Sequence, residues 1–161
     1  METSKIYLDT SVPSAYFDLS KPVRQLVTEK WFDFESRNYT LFTSSVTIEE
    51  LLRWENIVKR EKVLELLTKF SVEILPISDL IIALARKYIS AGAIPESELE
   101  DSLHIAAASL NNIENLVSWN FKHIVSENPI RKIREINRKE KLLDIEIATV
   151  ELFGGYKYGN L

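Results

Sequence analysis

Lys5-Ile6-Tyr7-Leu8-Asp9 is the stretch on which the fold turns. Three consecutive apolar residues, too few for a helix face, read as a short strand buried on both sides, and such strands belong to parallel sheets covered by helices. The acid at its end falls where the strand leaves the sheet. Downstream, Tyr39 to Ser44 (YTLFTS), Val72 to Leu75, Asn115 to Ser118 and Asp144 to Thr149 read as four further strands. Helical patterns separate them. Pro22 opens a helix to about Asn38 with Leu26, Val27, Trp31 and Phe34 near a 3.6 period. Ser45 to Phe70 holds two helices breaking near Asn56–Lys62. Ser78 caps a helix with Leu80, Ile81, Leu84, Ala85, Tyr88 and Ile89 on its apolar face, ended by Gly92. Pro95-Glu96-Ser97 starts the next, and Arg131 to Lys141 is a strongly basic helix. The alternation predicts an α/β fold: a three-layer α/β/α sandwich around a central, mainly parallel five-stranded sheet.

Length and composition agree with one globular domain. The chain has 161 residues, 45% hydrophobic and 27% charged, and a domain of that size buries roughly 70% of its unfolded surface. We place the domain at residues 1–150 and a tail, loose or docked on a partner, at 151–161. A net charge of −4 excludes a general polycation, so any nucleic-acid contact must be local. No cysteine is present, which removes disulfides, thiolate nucleophiles and cysteine zinc sites. The N-terminus does not read as a signal peptide and no apolar run reaches the ~18 residues of a membrane span, so a cytoplasmic location without membrane association is expected. Three of the four glycines lie in the tail, which leaves no glycine-rich phosphate loop.

Four polar residues draw attention as strand-end positions: Asp9, Glu50, Asp101 and Asn120. Ligands of open α/β sheets bind outside the carboxyl ends of the strands, and carboxylates gathered there repel one another unless a cation lies between them. Each residue also has a plainer role. Asp9 can cap a turn, and Thr47 to Glu50 matches a capping box. Ser97 and Glu100 form a second such box, leaving Asp101 on the helix's first turn, where the macrodipole welcomes a negative charge. His104 lies three residues on and shares a face with Asp101. Asn120 suits a helix cap or turn, and His123 is open to stacking, capping or substrate contact. Phosphate contacts are open to Arg131, Lys132, Arg134, Arg138, Lys139 and Lys141, whose alternative is a solvated face. Trp119 and Phe121 suit either base stacking or the core. A haloacid-dehalogenase-like phosphatase also starts with a strand and an Asp, but wants a second Asp where Ser11 stands.

The segments Ile6–Val12 (IYLDTSV), Thr43–Leu51 (TSSVTIEEL), Glu100–Ser109 (EDSLHIAAAS) and Leu116–Ile124 (LVSWNFKHI) resemble, in order, the four motif blocks of PIN-domain proteins, and most of all the toxin-like VapC group. The resemblance spans about residues 4–150. It implies a metal-dependent endoribonuclease with RNA as substrate, with Asp9, Glu50 and Asp101 as the acids holding Mg²⁺ or Mn²⁺ and Asn120 where many members carry a fourth Asp. It further implies a homodimer, an antitoxin partner if the chain is a toxin, and supporting hydroxyls at Thr10 and Ser118. Clustered acids of this kind, without metal, should have raised pKa values. The Asn at 120 keeps an alternative open: a catalytically silent module that binds RNA or protein.

Overall fold

The computed structural model describes residues 2–154. Five strands, β1 (Ser4–Leu8), β2 (Tyr39–Ser44), β3 (Glu73–Leu75), β4 (Asn115–Val117) and β5 (Glu146–Ala148), pair in the order β3-β2-β1-β4-β5. All four pairings are parallel. The chain adds strands outward from β1 on one side, then returns to add β4 and β5 on the other. The topological switch point, where such sheets bind ligands, therefore lies between β1 and β4.

Alternation along β1 splits the interior in two. Ile6 and Leu8 face a core built with helices α1 (Ser11–Ala15), α2 (Pro22–Lys30), α3 (Ser45–Leu52) and α4 (Ile57–Lys69). Tyr7 faces the other, built with α5 (Asp79–Ser90), α6 (Leu99–Leu110) and α7 (Glu127–Lys139). The three consecutive alanines Ala106–Ala108 are fully buried and let α6 lie close to the sheet. The expected three-layer sandwich is the fold.

Several boundaries differ from the sequence expectation. The segment after Pro22 ends its α-helix at Lys30 and continues as a π turn (Trp31–Glu35) and a 3₁₀ turn (Ser36–Asn38). The widened turn brings Trp31 and Phe32 into the core together, with the Trp31 indole N–H donating to the Phe153 carbonyl at 3.2 Å, and leaves Phe34 exposed. Pro13 sits in a short helix rather than a turn, at a position whose N–H has no intrahelical partner anyway. The break after α3 falls at Arg53–Asn56, ahead of its expected place, and Leu80 faces out from α5. The basic helix begins at Glu127. Val150–Phe153 forms a 3₁₀ turn whose Val150 and Phe153 are buried; residues 155–161 of the expected tail lie outside the described residues.

Helix ends follow the sequence closely. Ser78 Oγ accepts from the Ile81 N–H at 3.3 Å, as a cap should. At the other end Gly92 takes φ +75°. Its N–H donates to Ile89, and that of Ala93 to Tyr88, the paired bonds of a Schellman stop.

The α7 helix docks through a buried polar knot. Asn137 is fully buried, accepting from the Tyr88 hydroxyl at 2.5 Å and donating to Ser109 Oγ at 3.0 Å. Replacing Asn137 by Ala is expected to cost about 2 kcal/mol in chemical denaturation, because the Tyr88 hydroxyl loses its nearer acceptor and keeps only Ser109 Oγ at 3.2 Å, while Ser109 and the Leu143 carbonyl lose a donor. A loss below about 0.5 kcal/mol would show that water takes its place.

Candidate active site

Asp9 follows the last residue of β1 and is 3% exposed. Its backbone N–H still joins the sheet, donating to the Val117 carbonyl at 3.3 Å. Neither carboxylate oxygen is free. Oδ1 accepts from the Ser11 N–H at 3.0 Å and hydroxyl at 2.5 Å, and Oδ2 accepts from the Ser118 hydroxyl at 2.5 Å. The two serines are held in turn, Ser11 Oγ by the Trp119 N–H and Ser118 Oγ by the Asn120 N–H, both at 2.9 Å. The acid is thus fixed by the ends of both strands at the switch point.

Glu50 comes from α3 and Asp101 from the first turn of α6. Asp101 follows no strand. It reaches the same edge because α6 begins there, as the bond from Asn120 just beyond β4 shows: Asn120 Nδ2 donates to Asp101 Oδ2 at 3.0 Å. Asp9, Glu50, Asp101, His104 and Asn120, with Trp54 at the rim, line one cavity of about 250 Å³. All four residues singled out at strand ends therefore meet.

The capping boxes are overturned, while the plainer roles of Asp9, which accepts from the Ser11 turn N–H, and of Asp101, in the first turn of α6, coexist with the site. Ser44, not Thr47, is the N-cap of α3, accepting from the Val46 N–H at 3.3 Å. Thr47 instead bonds to the hydroxyls of Thr43 at 2.8 Å and Thr10 at 3.0 Å. Ser97 makes no cap either, and Glu100 pairs with Arg53 across the mouth of the cavity. For Asn120 the cap is real: its Oδ1 accepts from the His123 N–H at 3.0 Å. That bond turns the amide nitrogen toward Asp101, so Asn120 serves this site as a donor to an acid.

His104 meets Glu50 rather than Asp101, and sequence spacing could not have shown it. Fully enclosed, it places Nε2 2.9 Å from Glu50 Oε1 and Nδ1 2.7 Å from the Tyr7 hydroxyl. The Tyr7 hydroxyl donates to Ser44 Oγ at 2.7 Å, which leaves its lone pair for Nδ1. A carboxylate at Nε2 and a hydroxyl at Nδ1 together favour the protonated ring. Burial alone would lower the His104 pKa, but the Glu50 bond and the charges of Asp9, Glu50 and Asp101 outweigh it and hold it above the ordinary value. Tyr7, Ser11, Ser44, Thr43 and Thr47 are the supporting residues that the sequence hid. Tyr7, Thr43 and Ser44 lie on strands and look like core, Ser11 follows Asp9 closely, and the local signal at Thr47 pointed to a cap.

The acids respond unequally. Burial and then the charge of Asp9 push Asp101 up to about 7. Burial raises Asp9 as well, against the pull of His104, Ser11 and Ser118. Glu50 goes the other way: burial would raise it, but the bond and charge of His104 carry it below the ordinary range. The expectation of raised acids holds for two of three. It fails at Glu50 because His104 is built in beside it.

The donor set suits a hard divalent cation, since carboxylate oxygens face one cavity and two of the acids hold protons unusually well. Among the described residues no three His, Asp or Glu side chains are drawn tightly enough to form a ready-made cation site. The serines, His104 and Asn120 hold the acids apart, so ion binding requires the carboxylates to close on it.

A parallel α/β sheet with an acidic crevice at its switch point defines the class. Residues 6–123 match the PIN domain, and the chain belongs to the PIN-domain family, whose members are generally nucleases that use divalent metal ions. The fold is similar to a chain in the crystal structure of VapBC2 from Rickettsia felis bound to a DNA fragment from their promoter. The two superpose with a TM-score of 0.54 at 13% identity, over 88% of this chain and 96% of that one. No curated protein sequence matches it. None of the described helices is long and apolar enough to cross a membrane.

Proposed function

We propose that the chain is an endoribonuclease dependent on Mg²⁺ or Mn²⁺. The observation that carries this is the meeting of Asp9, Glu50 and Asp101, from three separate elements, in one cavity between β1 and β4. Asp9 and Asp101 would hold the ion directly, and Glu50 would hold it through water or orient the attacking water. The ion, when bound, supplies a nucleophile at neutral pH and relieves charge on the scissile phosphate. The protein's part is positional. Ser11 and Ser118 fix Asp9, Asn120 aims Asp101, and His104 keeps Glu50 ionised so that it accepts a hydrogen bond from the water it orients. By this reading the chain is a cytoplasmic toxin that dimerises and is silenced by a protein antitoxin covering the acids.

One observation favours the silent-module reading instead: Asn120 commits its oxygen to His123, leaving one ligand fewer for metal. Incubating the purified protein with single-stranded RNA and Mn²⁺ separates the two. Cleavage is expected, and is expected to vanish with chelator and in Asp9→Asn. Binding without cleavage supports the silent module, and cleavage that persists in Asp9→Asn refutes the site.

A further inference from the structure

A second, larger cavity of about 660 Å³ lies on the other side of the turn Asn120–His123, whose Lys122 and His123 line it while Asn120 lines the acidic cavity. The opposite border is shared too, because the segment through Gly92 and Glu96 leads into the helix that carries Asp101. We propose that this second cavity is a subsite for a phosphodiester next to the scissile one, holding single-stranded RNA by its backbone. The assignment rests on the ribonuclease reading.

Charge pairing singles out the residues. The arginines of the basic helix are neutralised: Arg131 pairs with Glu135, Arg134 with Glu146, and Arg138 with Asp144, while Glu140 takes Lys87. Among the described residues, pairing leaves Lys132, Lys139 and Lys141 of the basic residues expected to hold phosphates, and of these Lys132 alone lines the second cavity. Lys132 points its Nζ into the second cavity, bonded at 3.3 Å to the Gly92 carbonyl rather than to an acid. Lys122, on the turn itself, has no ion pair among the described residues, and the first turn of α7 at Asn128 adds its positive end. Against these cations the wall sets Glu96, and Glu98 stands 3.6 Å from His123 Nε2. Among the side chains that line the cavity, Lys122 and Lys132 against Glu96 leave one formal positive charge in excess.

The acidic cavity alone would repel a polyanion. A strand can settle its scissile phosphate among three carboxylates only if cations within a Debye length, about 8–10 Å, draw the adjoining backbone in. Lys122 and Lys132 line the neighbouring cavity, which shares the turn Asn120–His123 with the acidic one. Phosphate contacts position a strand without reading its sequence. The subsite therefore sets affinity and register, not base preference.

The test is fluorescence anisotropy of a labelled single-stranded oligoribonucleotide with chelator present, measured against salt, alongside cleavage kinetics with Mn²⁺. Lys122→Ala and Lys132→Ala should each weaken binding about 2- to 5-fold at low salt and flatten the salt slope by about 0.7. With Mn²⁺ the double variant should raise KM more than it lowers kcat. Lys132→Arg should restore binding, and Arg138→Ala, on a paired cation, should change nothing. Unaltered affinity and slope in both lysine variants, with cleavage intact, overturns the subsite and leaves the nuclease reading standing. Slopes that fall in a protein that does not cleave do the reverse. Failure of the protein to bind RNA, or tighter binding of an oligo-aspartate peptide than of RNA, also overturns it.

Discussion

Asp101→Asn is expected to abolish cleavage and, in the same protein, to raise the melting temperature at pH 8. The loss follows from removing a charged ligand: several kcal/mol of transition-state stabilisation disappear, on the order of 10³-fold in rate. The gain follows from the cost of ionising Asp101 in the fold. Its carboxyl is pushed from 3.8 up to about 7 by burial and by the charge of Asp9. Between those values the folded state binds more protons than the unfolded one, so stability falls as pH rises from about 4 through about 7 and is then flat. His104 acts in the same sense, since its raised pKa gives stability present below 6.5 that is lost as pH rises through the folded value. Discounted for partial exposure, the Asp101 contribution is on the order of 2 kcal/mol, or about 5 °C in Tm. The asparagine keeps an oxygen for the Asn120 amide, so the hydrogen bond at that place survives. Thermal melts at pH 5 and pH 8 with chelator should show a pH slope in the wild type that is shallower in the variant. Mn²⁺ should restore the wild type at pH 8 and do little for Asp101→Asn. A variant that melts lower at pH 8 would mean that Asp101 serves the fold rather than the site.

His104→Ala is expected to be among the most destabilising single changes, costing roughly 3–5 kcal/mol. Removing the ring empties a fully buried space and takes the hydrogen-bond donor from Glu50, which then faces Asp9 and Asp101 as a third unrelieved negative charge. It also strips the Tyr7 hydroxyl of one of its two partners. Because the loss is largely that of an orphaned charge, adding Glu50→Gln should give some of it back. Urea denaturation of the single and double variants at pH 7 measures this directly. Additive losses would show that His104 contributes by packing alone. Either way activity falls, so the coupling between the two side chains is the informative quantity.

The sequence carried the architecture and the identities of the acids. Apolar runs at Ile6–Leu8, alternating with helical segments, sufficed for a parallel sheet, because a strand buried on both faces cannot alternate polar and apolar residues. Helix stops such as Ser78 and Gly92 were local signals with local outcomes. Asp9 could be picked out for the same reason, since a carboxylate at the end of a buried strand is conspicuous in one dimension, whereas Glu50 and Asp101 lie on helices and Asn120 on a turn, and the ordered motif blocks singled them out. Their partners were not legible. Whether Thr47 caps a helix or bonds to Thr10, whether His104 meets Asp101 or Glu50, and whether an arginine of α7 faces phosphate or a glutamate are matters of which elements pack together. The Thr10–Thr47 contact spans 37 residues and the Glu50–His104 contact 54, and no local pattern encodes either. Sequence alone determined that acids gather at the edge of a parallel sheet. Only the tertiary structure decided their protonation, because a pKa is set by burial and by neighbouring charge, and both exist only once the chain has folded around them.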